Sequence, residues 1–161
     1  QEPYPRISDH DPMGQVPVIE LDDGRTLAQS NAILLYLAEG SGLLPADAFL
    51  RAKVHELLFW EQYSHEPYIA VCRFCMLYLG KPSEAREAWR VERGEQALDL
   101  MERLLEGRDW LAGDGLTIAD IALVAYTRLA HEGGFDLAPQ PNLRVWIKRC
   151  EEALGLDSAA A

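Results

Sequence analysis

A single pair of short strands comes before a chain whose pattern is otherwise helical. Val16 to Leu21 is rich in β-branched residues, Asp22-Asp23-Gly24 is a turn signal, and Arg25 to Gln29 pairs back as a second strand. Ser30 caps the helix that follows, and Gly40 ends it. Two strands and one helix do not form a stable sheet domain in water. We therefore expect further strands, with a βαβ unit upstream as their natural source.

The rest of the chain is predicted to form helices. The first runs from Phe49 to Leu79, and Pro67 should kink or divide it because proline has no N–H to donate. Ser83 opens the next helix. Thr117 to Asp120 starts an apolar helix with the pattern of a capping box, in which Asp replaces the usual Glu. The last helix is amphipathic and runs from Asn142 to Leu154.

Apolar residues recur in these helices at intervals of three and four, which places them on one side of each helix. In the helix after Ser83 the stripe expected to be buried is Ala97, Leu98, Met101, Leu104 and Leu105. The other helices carry apolar residues at Ile33, Leu34 and Leu37, at Val54, Leu57 and Leu58, and, along one side of the last helix, at Leu143, Trp146, Ile147 and Cys150. The predicted fold class is an α+β part, residues 1–42, followed by an all-α helical bundle, residues 48–161. A linker from Gly42 to Asp47 joins the two.

Composition and charge exclude several classes of function. The chain has 161 residues and a formal net charge of -11, without the clustered Lys and Arg that a nucleic-acid or anionic-membrane surface needs. Three cysteines are too few for a disulfide framework and indicate a reducing compartment, so we expect a cytoplasmic protein. No apolar run approaches the roughly 18 residues of a membrane span. Because residue 1 is Gln, we expect the natural start to lie upstream.

The segment around the second strand can hold a small peptide-like anion. A cis bond between Val16 and Pro17 would leave the Val16 N–H and C=O facing outward, although about 5–6% of X–Pro bonds are cis and a trans bond is the general expectation. Ser30 is either a simple cap or an anion ligand. Its helix has no acid in the first turn, which leaves the positive pole open. Gln29 beside it can bind both the ammonium and the carboxylate of an amino acid.

Three stretches of the sequence resemble one family. Residues 14–39, GQVPVIELDDGRTLAQSNAILLYLAE, resemble the second half of the N-terminal, thioredoxin-like domain of cytosolic glutathione transferases of the bacterial type. DWLAGDGLTIADIALVAY, residues 109–126, and PNLRVWIKRCEEA, residues 141–153, are similar to successive helices of that family's helical domain. The resemblance implies a chain that enters partway through the thioredoxin-like domain and continues into the all-helical domain.

The resemblance also implies ligands and roles. In the family the Val-Pro bond is cis, the Val backbone pairs with the cysteinyl part of glutathione, and a Gln/Glu-Ser pair holds the γ-glutamyl group. These roles fall on Val16, Pro17, Gln29 and Ser30, with Gln15 as a weaker candidate for the glycyl end. The implied activity is thiolate activation and conjugation of glutathione to small hydrophobic electrophiles by a homodimer in detoxification, without a metal. The activating Tyr, Ser or Cys lies before the matched segment, so no catalytic residue is predicted.

Two other functions fit the same resemblance. One keeps glutathione but changes the reaction to an isomerase, dehalogenase or thiol-reductase. The other is a non-catalytic interaction module of the same fold. The residue missing upstream would distinguish the enzymes, since Cys favours reduction while Ser or Tyr favours conjugation.

Several side chains of the long helix share one face. His65, Tyr68, Cys72 and Met76 are predicted to line the electrophile pocket, and packing between helices is the alternative for each. Cys72 and Cys75 also form a CxxC motif. It lies inside a helix rather than after a strand, and no further zinc ligand is identified, so we expect neither redox nor metal use.

Overall fold

The computed structural model describes residue 11 and residues 13–159. The chain forms two compact units, of which the first ends at Leu44 and the second begins at Pro45. This division lies within the linker expected from the sequence. No helix in the described part of the chain is both long and apolar enough to cross a membrane.

The first unit contains an antiparallel hairpin. Strand β1 is Val18–Glu20 and strand β2 is Thr26–Ala28, and Val18 lies opposite Ala28. Gly24 has a φ of 81°, a conformation that glycine adopts without steric cost, and its N–H donates to the carbonyl of Leu21. Both strands are shorter than the sequence pattern predicts.

Helix α1, Ser30–Ala38, follows β2 and packs against it. Ile33 and Ala38 are buried, whereas Leu37 is 64% exposed. The apolar residues of α1 therefore do not all share one environment in the described unit. The side of α1 that faces β2 carries Ile33, and Leu37 lies away from it.

The second unit is helical throughout. Its elements are α2 (Ala48–Trp60), a π-helical turn (Glu61–His65), α3 (Glu66–Leu77), a 3₁₀ turn (Ser83–Ala85), α4 (Ala88–Leu104), α5 (Ile118–Thr127), a 3₁₀ turn (Ala130–Gly133) and α6 (Pro141–Leu154). Asp47 caps α2 by accepting a hydrogen bond of 2.8 Å from the N–H of Leu50.

Pro67 divides the predicted long helix, as expected. The division takes the form of the π-helical turn, in which the N–H of Glu66 donates to the carbonyl of Glu61, five residues earlier. Proline lacks the N–H that an α-helix would use at this point, so the backbone widens before it. Pro67 then lies in the first turn of α3, where no N–H is needed.

The start of α4 differs from the sequence-based expectation. Ser83 opens a 3₁₀ turn, and α4 itself begins five residues later at Ala88. Arg86 lies between them in extended conformation, and its guanidinium donates to the carbonyls of Gly133 and Gly134 at 3.0 Å each. These bonds hold the connection in place.

The core of the second unit surrounds α5. The predicted capping box is present, since the N–H of Thr117 donates to the Asp120 carboxylate at 2.9 Å. The predicted stripe of α4 is buried except for the half-buried Leu104, and the apolar side of α6 is buried except for the half-buried Ile147. Trp146 of α6 is completely buried against this centre.

Candidate functional site

The turn before β1 exposes a length of backbone. The Val16–Pro17 peptide bond is cis, and Val16 is 73% exposed. Asp11 fixes the turn, because its carbonyl accepts from the N–H of Gly14 at 2.9 Å and its carboxylate accepts from the N–H of Gln15 at 2.8 Å. Asp11 itself is 5% exposed. Its contribution was not foreseen from the sequence, where the only signal was an acid four residues before Gln15.

Gln29 has an unusual backbone conformation. Its φ is 72° and its ψ is 118°, and it is the one described residue other than glycine with a positive φ. A residue with a β-carbon is strained in this region by roughly 1–3 kcal/mol, and such strain is often found at ligand sites. The conformation directs the Gln29 side chain toward Gln15, and its Nε2 donates to the Gln15 Oε1 at 3.0 Å.

The N-terminus of α1 lies directly after Gln29. Ser30 is the first helical residue and Gln29 occupies the cap position, so the prediction that Ser30 is the cap is off by one residue. Ser30 is exposed, and the first turn contains no acidic residue. The partial positive charge of the helix end is therefore not offset by an acid of its own first turn.

The hairpin brings these features to one end of the first unit. Because Val18 lies opposite Ala28, the two residues before β1 and the two residues after β2 are at the same end of the hairpin. This end presents the exposed Val16, the paired amides of Gln15 and Gln29, and the start of α1. The backbone at Val16 can pair with the backbone of a peptide, and the amides and the helix start can donate hydrogen bonds to a carboxylate. This end of the hairpin therefore suits a short peptide with an amino-acid head group.

Comparison with known families identifies the family of this chain. Residues 59–153, more than half of the chain, match the family model described as the glutathione S-transferase C-terminal domain. The chain belongs to the glutathione S-transferase family. Residues 1–39 match the family's N-terminal domain model, and the candidate site lies within that match.

Curated glutathione S-transferases share part of their length with this chain. Glutathione S-transferase D6 and D7 of Drosophila melanogaster are 29% and 30% identical over 88% and 85% of the chain. A glutathione S-transferase-like protein, LUC7, of a Fusarium species is 36% identical over 68% of the chain. The chain covers 66%, 62% and 52% of these three relatives, respectively, and so spans less than two thirds of each.

Solved structures of the family have the same fold. A glutathione S-transferase from Xanthobacter autotrophicus is 49% identical with a TM-score of 0.89, covering 94% of this chain and 75% of that one. One from Pseudomonas fluorescens is 50% identical with a TM-score of 0.85, covering 89% and 73%. The fold described above is therefore that of a glutathione S-transferase.

His65 does not line an accessible pocket of the helical unit. It is 0% exposed, and its Nε2 lies 2.9 Å from the hydroxyl of Thr127. Burial lowers the pKa of His65 to about 3, so the ring is neutral at physiological pH. The prediction that His65 contacts an electrophile is wrong, because the π-helical turn directs the ring into the core toward α5.

The other three residues of that predicted pocket have different environments. Cys72 is 1% exposed and belongs to the core beside α4, which favours the packing alternative. Tyr68 is half-buried and contacts Trp89 edge to face, with ring centroids 6.1 Å apart. Met76 is also half-buried. The described residues contain no group of three or more His, Cys, Asp or Glu side chains placed to hold a metal ion.

An apolar surface that the sequence reasoning missed lies at the end of α3. We call Phe74, Leu77 and Tyr78 the α3-terminal patch; they are 51%, 50% and 64% exposed. Phe74 and Tyr78 stack at 5.6 Å between centroids. Arg73 lies 5.8 Å from the Tyr78 ring and is itself paired with Glu132 at 2.5 Å. Their spacing of four residues was the available signal, since aromatic side chains four apart meet on a helix.

Proposed function

We propose that this glutathione S-transferase binds glutathione and conjugates it to small hydrophobic electrophiles. The observation that carries the proposal is the hydrogen bond of 3.0 Å from Gln29 to Gln15, at the hairpin end that also holds the exposed Val16 and the start of α1. In this arrangement the Val16 backbone pairs with the cysteinyl residue, and Gln29 and Ser30 bind the γ-glutamyl head group. Gln15, aligned by Gln29, is placed for the glycyl end.

The proposed reaction begins from the glutathione thiolate. A free thiol is mostly protonated at neutral pH, so a donor that stabilises the thiolate raises the concentration of the nucleophile. The sulfur then forms a bond to the electrophilic carbon, and the electron pair of the broken bond leaves with the departing group or remains on the adduct. The helix start at Ser30 contributes to this scheme by holding a carboxylate of the tripeptide.

The electrophile is proposed to contact the α3-terminal patch rather than His65 and Cys72. The patch offers exposed aromatic and aliphatic surface, which is the chemistry that an apolar substrate needs. Arg73 is held by Glu132 at its edge. Substituting Tyr78 with Ser should raise the KM for an apolar electrophile and leave the KM for glutathione unchanged, and an equal change in both would contradict this assignment.

A homodimer is proposed through exposed aromatic groups of α2, the π-helical turn and α4. Phe59, Tyr63 and Trp89 are 73%, 81% and 51% exposed, and Tyr63 and Trp89 line one open groove of about 380 Å³. Such a patch is typical of a protein interface. Sedimentation at micromolar concentration should show a dimer, and Tyr63→Glu should release monomers while Val145→Glu, at an exposed apolar residue of α6, should not. A native monomer would rule the dimer out.

The glutathione site is tested by calorimetric titration of the protein. Binding at millimolar or lower concentration is expected, and Ser30→Ala should weaken it while Ser83→Ala, on the helical unit, should have no effect. Conjugation is then followed with a chloronitrobenzene as electrophile. The absence of any binding at millimolar glutathione would overturn the proposal. A cytoplasmic location is proposed as well, supported by the three free cysteines, and cell fractionation would check it.

A further inference from the structure

A small cavity lies where the end of α3 meets the segment leading into α4. Its volume is about 80 Å³, and its walls include both thiols of the CxxC motif. The residues around it are Cys72, Cys75, Lys81, Ala85, Arg86, Glu87 and Arg90. The proposed glutathione site in the first unit uses none of them. The position of the motif inside a helix argued against redox use, but the access of both thiols to this cavity favours it again.

The two thiols differ in access. Cys72 is 1% exposed, whereas Cys75 is half-buried and lies in the last turn of α3, two residues before its end at Leu77. Burial raises the pKa of the Cys72 thiol, and the nearby Arg86 and Arg90 partly oppose that effect. Cys75 is thus the more accessible of the two thiols.

The spacing of the pair permits a bond between them. Residues three apart on an α-helix have Cα atoms about 5 Å apart, within the range of about 4.4–6.8 Å found in disulfides. Their Cβ atoms, at about 5–6 Å, must approach by roughly 1–2 Å. Because Cys75 lies in the terminal turn, that movement involves the end of α3 only, where helices open most readily.

The charge at the cavity favours anionic reagents. Arg86 donates to three backbone carbonyls, those of Ser83, Gly133 and Gly134, each at 3.0 Å. These acceptors fix the guanidinium without a carboxylate, so they do not cancel its charge. Arg90 differs, since Glu87 neutralises it at 2.8 Å. Three basic residues and one acidic residue, which is paired with Arg90, thus line the cavity beside the two thiols, in a chain whose net charge is -11.

We propose that Cys75 is a site of thiol–disulfide exchange with small anionic disulfides, and that Cys72 is the resolving thiol. The Cys75 thiolate attacks one sulfur of the disulfide, forming a mixed disulfide and releasing one thiolate. The Cys72 sulfur, after losing its proton, attacks the Cys75 sulfur and releases the second thiolate. The dithiol loses two electrons, the small disulfide gains them, and two thiols are formed as the released thiolates take up protons. A cationic metal ion is a poorer occupant, because Arg86 repels it.

The experiment uses the native protein with glutathione disulfide as the probe and peptide mass mapping as the readout. The native chain should form the Cys72–Cys75 disulfide. Cys72→Ala should instead accumulate a mixed disulfide on Cys75, and Cys75→Ala should leave Cys72 unmodified. Cys150 is the internal reference, since it is 0% exposed and burial raises its pKa to about 12. Cys75 should react at least about ten times faster than Cys150.

A second arm tests the role of charge without altering the fold. For each reagent, the rate of its reaction with Cys75 is divided by the rate of its reaction with free cysteine. On this scale anionic glutathione disulfide should modify Cys75 several-fold faster than cationic cystamine. Added salt should reduce this ratio. An unmodified Cys75 in the folded Cys72→Ala variant would overturn the proposal, and so would equal normalised rates for the two reagents. Neither result depends on glutathione binding in the first unit, because the modified residue is identified directly.

Discussion

The indole Nε1 of Trp146 donates a hydrogen bond of 2.9 Å to Oδ1 of Asp120, and both residues are 0% exposed. The same carboxylate also accepts from the N–H of Leu111 at 3.0 Å and from the N–H and hydroxyl of Thr117 at 2.9 Å each. Four donors from α6, the loop before α5 and the cap of α5 thus meet one buried charge. Such a charge is tolerated in a core only when it is fully hydrogen-bonded.

Replacing Asp120 with Asn should destabilise the protein by about 2–4 kcal/mol. Each carboxylate oxygen of Asp120 accepts two hydrogen bonds. In either orientation of the Asn amide its nitrogen would replace one of these oxygens, so at least one buried N–H or O–H loses its acceptor. Urea unfolding measures the loss as a lower midpoint. Asp114→Asn, at an exposed position in the preceding loop, is the matched control and should change the free energy of unfolding by less than about 0.5 kcal/mol. Similar effects at both positions would contradict this account of the core.

Gln29→Gly should separate stability from binding. Glycine adopts a φ of 72° freely, which removes strain of about 1–2 kcal/mol, while its extra chain entropy costs about 0.5–1 kcal/mol. The free energy of unfolding should therefore be unchanged or rise by about 1 kcal/mol. Glutathione affinity should fall by about tenfold, since the side-chain amide is lost.

Gln29→Ala serves as the control for that experiment. It loses the same amide but keeps the strained backbone. It should therefore bind glutathione as poorly as Gln29→Gly, and its free energy of unfolding should be lower than that of Gln29→Gly. Calorimetry and urea unfolding on the three proteins give both quantities. Native affinity in the glycine variant would remove Gln29 from the site.

His65 should make stability depend on pH in the acid range. Its pKa is about 3 in the folded protein, against 6.5 for a histidine exposed to water, so the unfolded chain binds the proton more readily. Stability from this group is fully present above pH 6.5 and is lost as the pH falls toward 3. Between pH 7 and pH 5 the loss is at most about 2 kcal/mol. His65→Gln should reduce this pH dependence, whereas His131→Gln, at an exposed ring, should preserve it.

Gly133→Ala should destabilise the second unit by about 1–3 kcal/mol. A β-carbon at Gly133 would lie 3.0 Å from the backbone nitrogen of Arg73 and 3.3 Å from the carbonyl of Ile69. Neither atom belongs to a flexible side chain, so α3 itself must move. Gly115→Ala is the control, because a β-carbon there has no neighbour within 4 Å. The midpoint of thermal unfolding should be clearly lower for Gly133→Ala than for Gly115→Ala. Equal midpoints would show that α3 moves to accommodate the β-carbon without a loss of stability.

Local signals predicted much of the fold. The Asp22-Asp23-Gly24 turn, the Thr117–Asp120 capping box and the effect of Pro67 depend on residues within five positions of one another, and the structure contains all three features. The helical spacing also identified most of the core. These signals arise from backbone geometry, so they can be read without knowing which elements become neighbours.

Predictions that needed distant contacts were less successful. His65 shares a helical face with Tyr68 by spacing alone, but its partner is Thr127, 62 residues later, and nothing local indicates that bond. The delayed start of α4 likewise depends on Arg86 reaching carbonyls 47 and 48 residues away. In the candidate site, the sequence indicated Gln29 and Ser30, while the bond from Gln29 to Gln15 required the folded hairpin.

The π-helical turn absorbs one residue between α2 and α3. Its closing bond spans five residues where an α-helical bond spans four, so the extra residue is taken up within Glu61–His65. The side chains of α3 therefore keep nearly the orientation that a continuous helix one residue shorter would give them. Ile69 reaches the core and the exposed aromatic groups near the end of α3 stay on the opposite side, although Pro67 interrupts the hydrogen bonding. Homologous chains that lack both Pro67 and one residue between Val54 and Ile69 are expected to form a continuous helix and to preserve both surfaces.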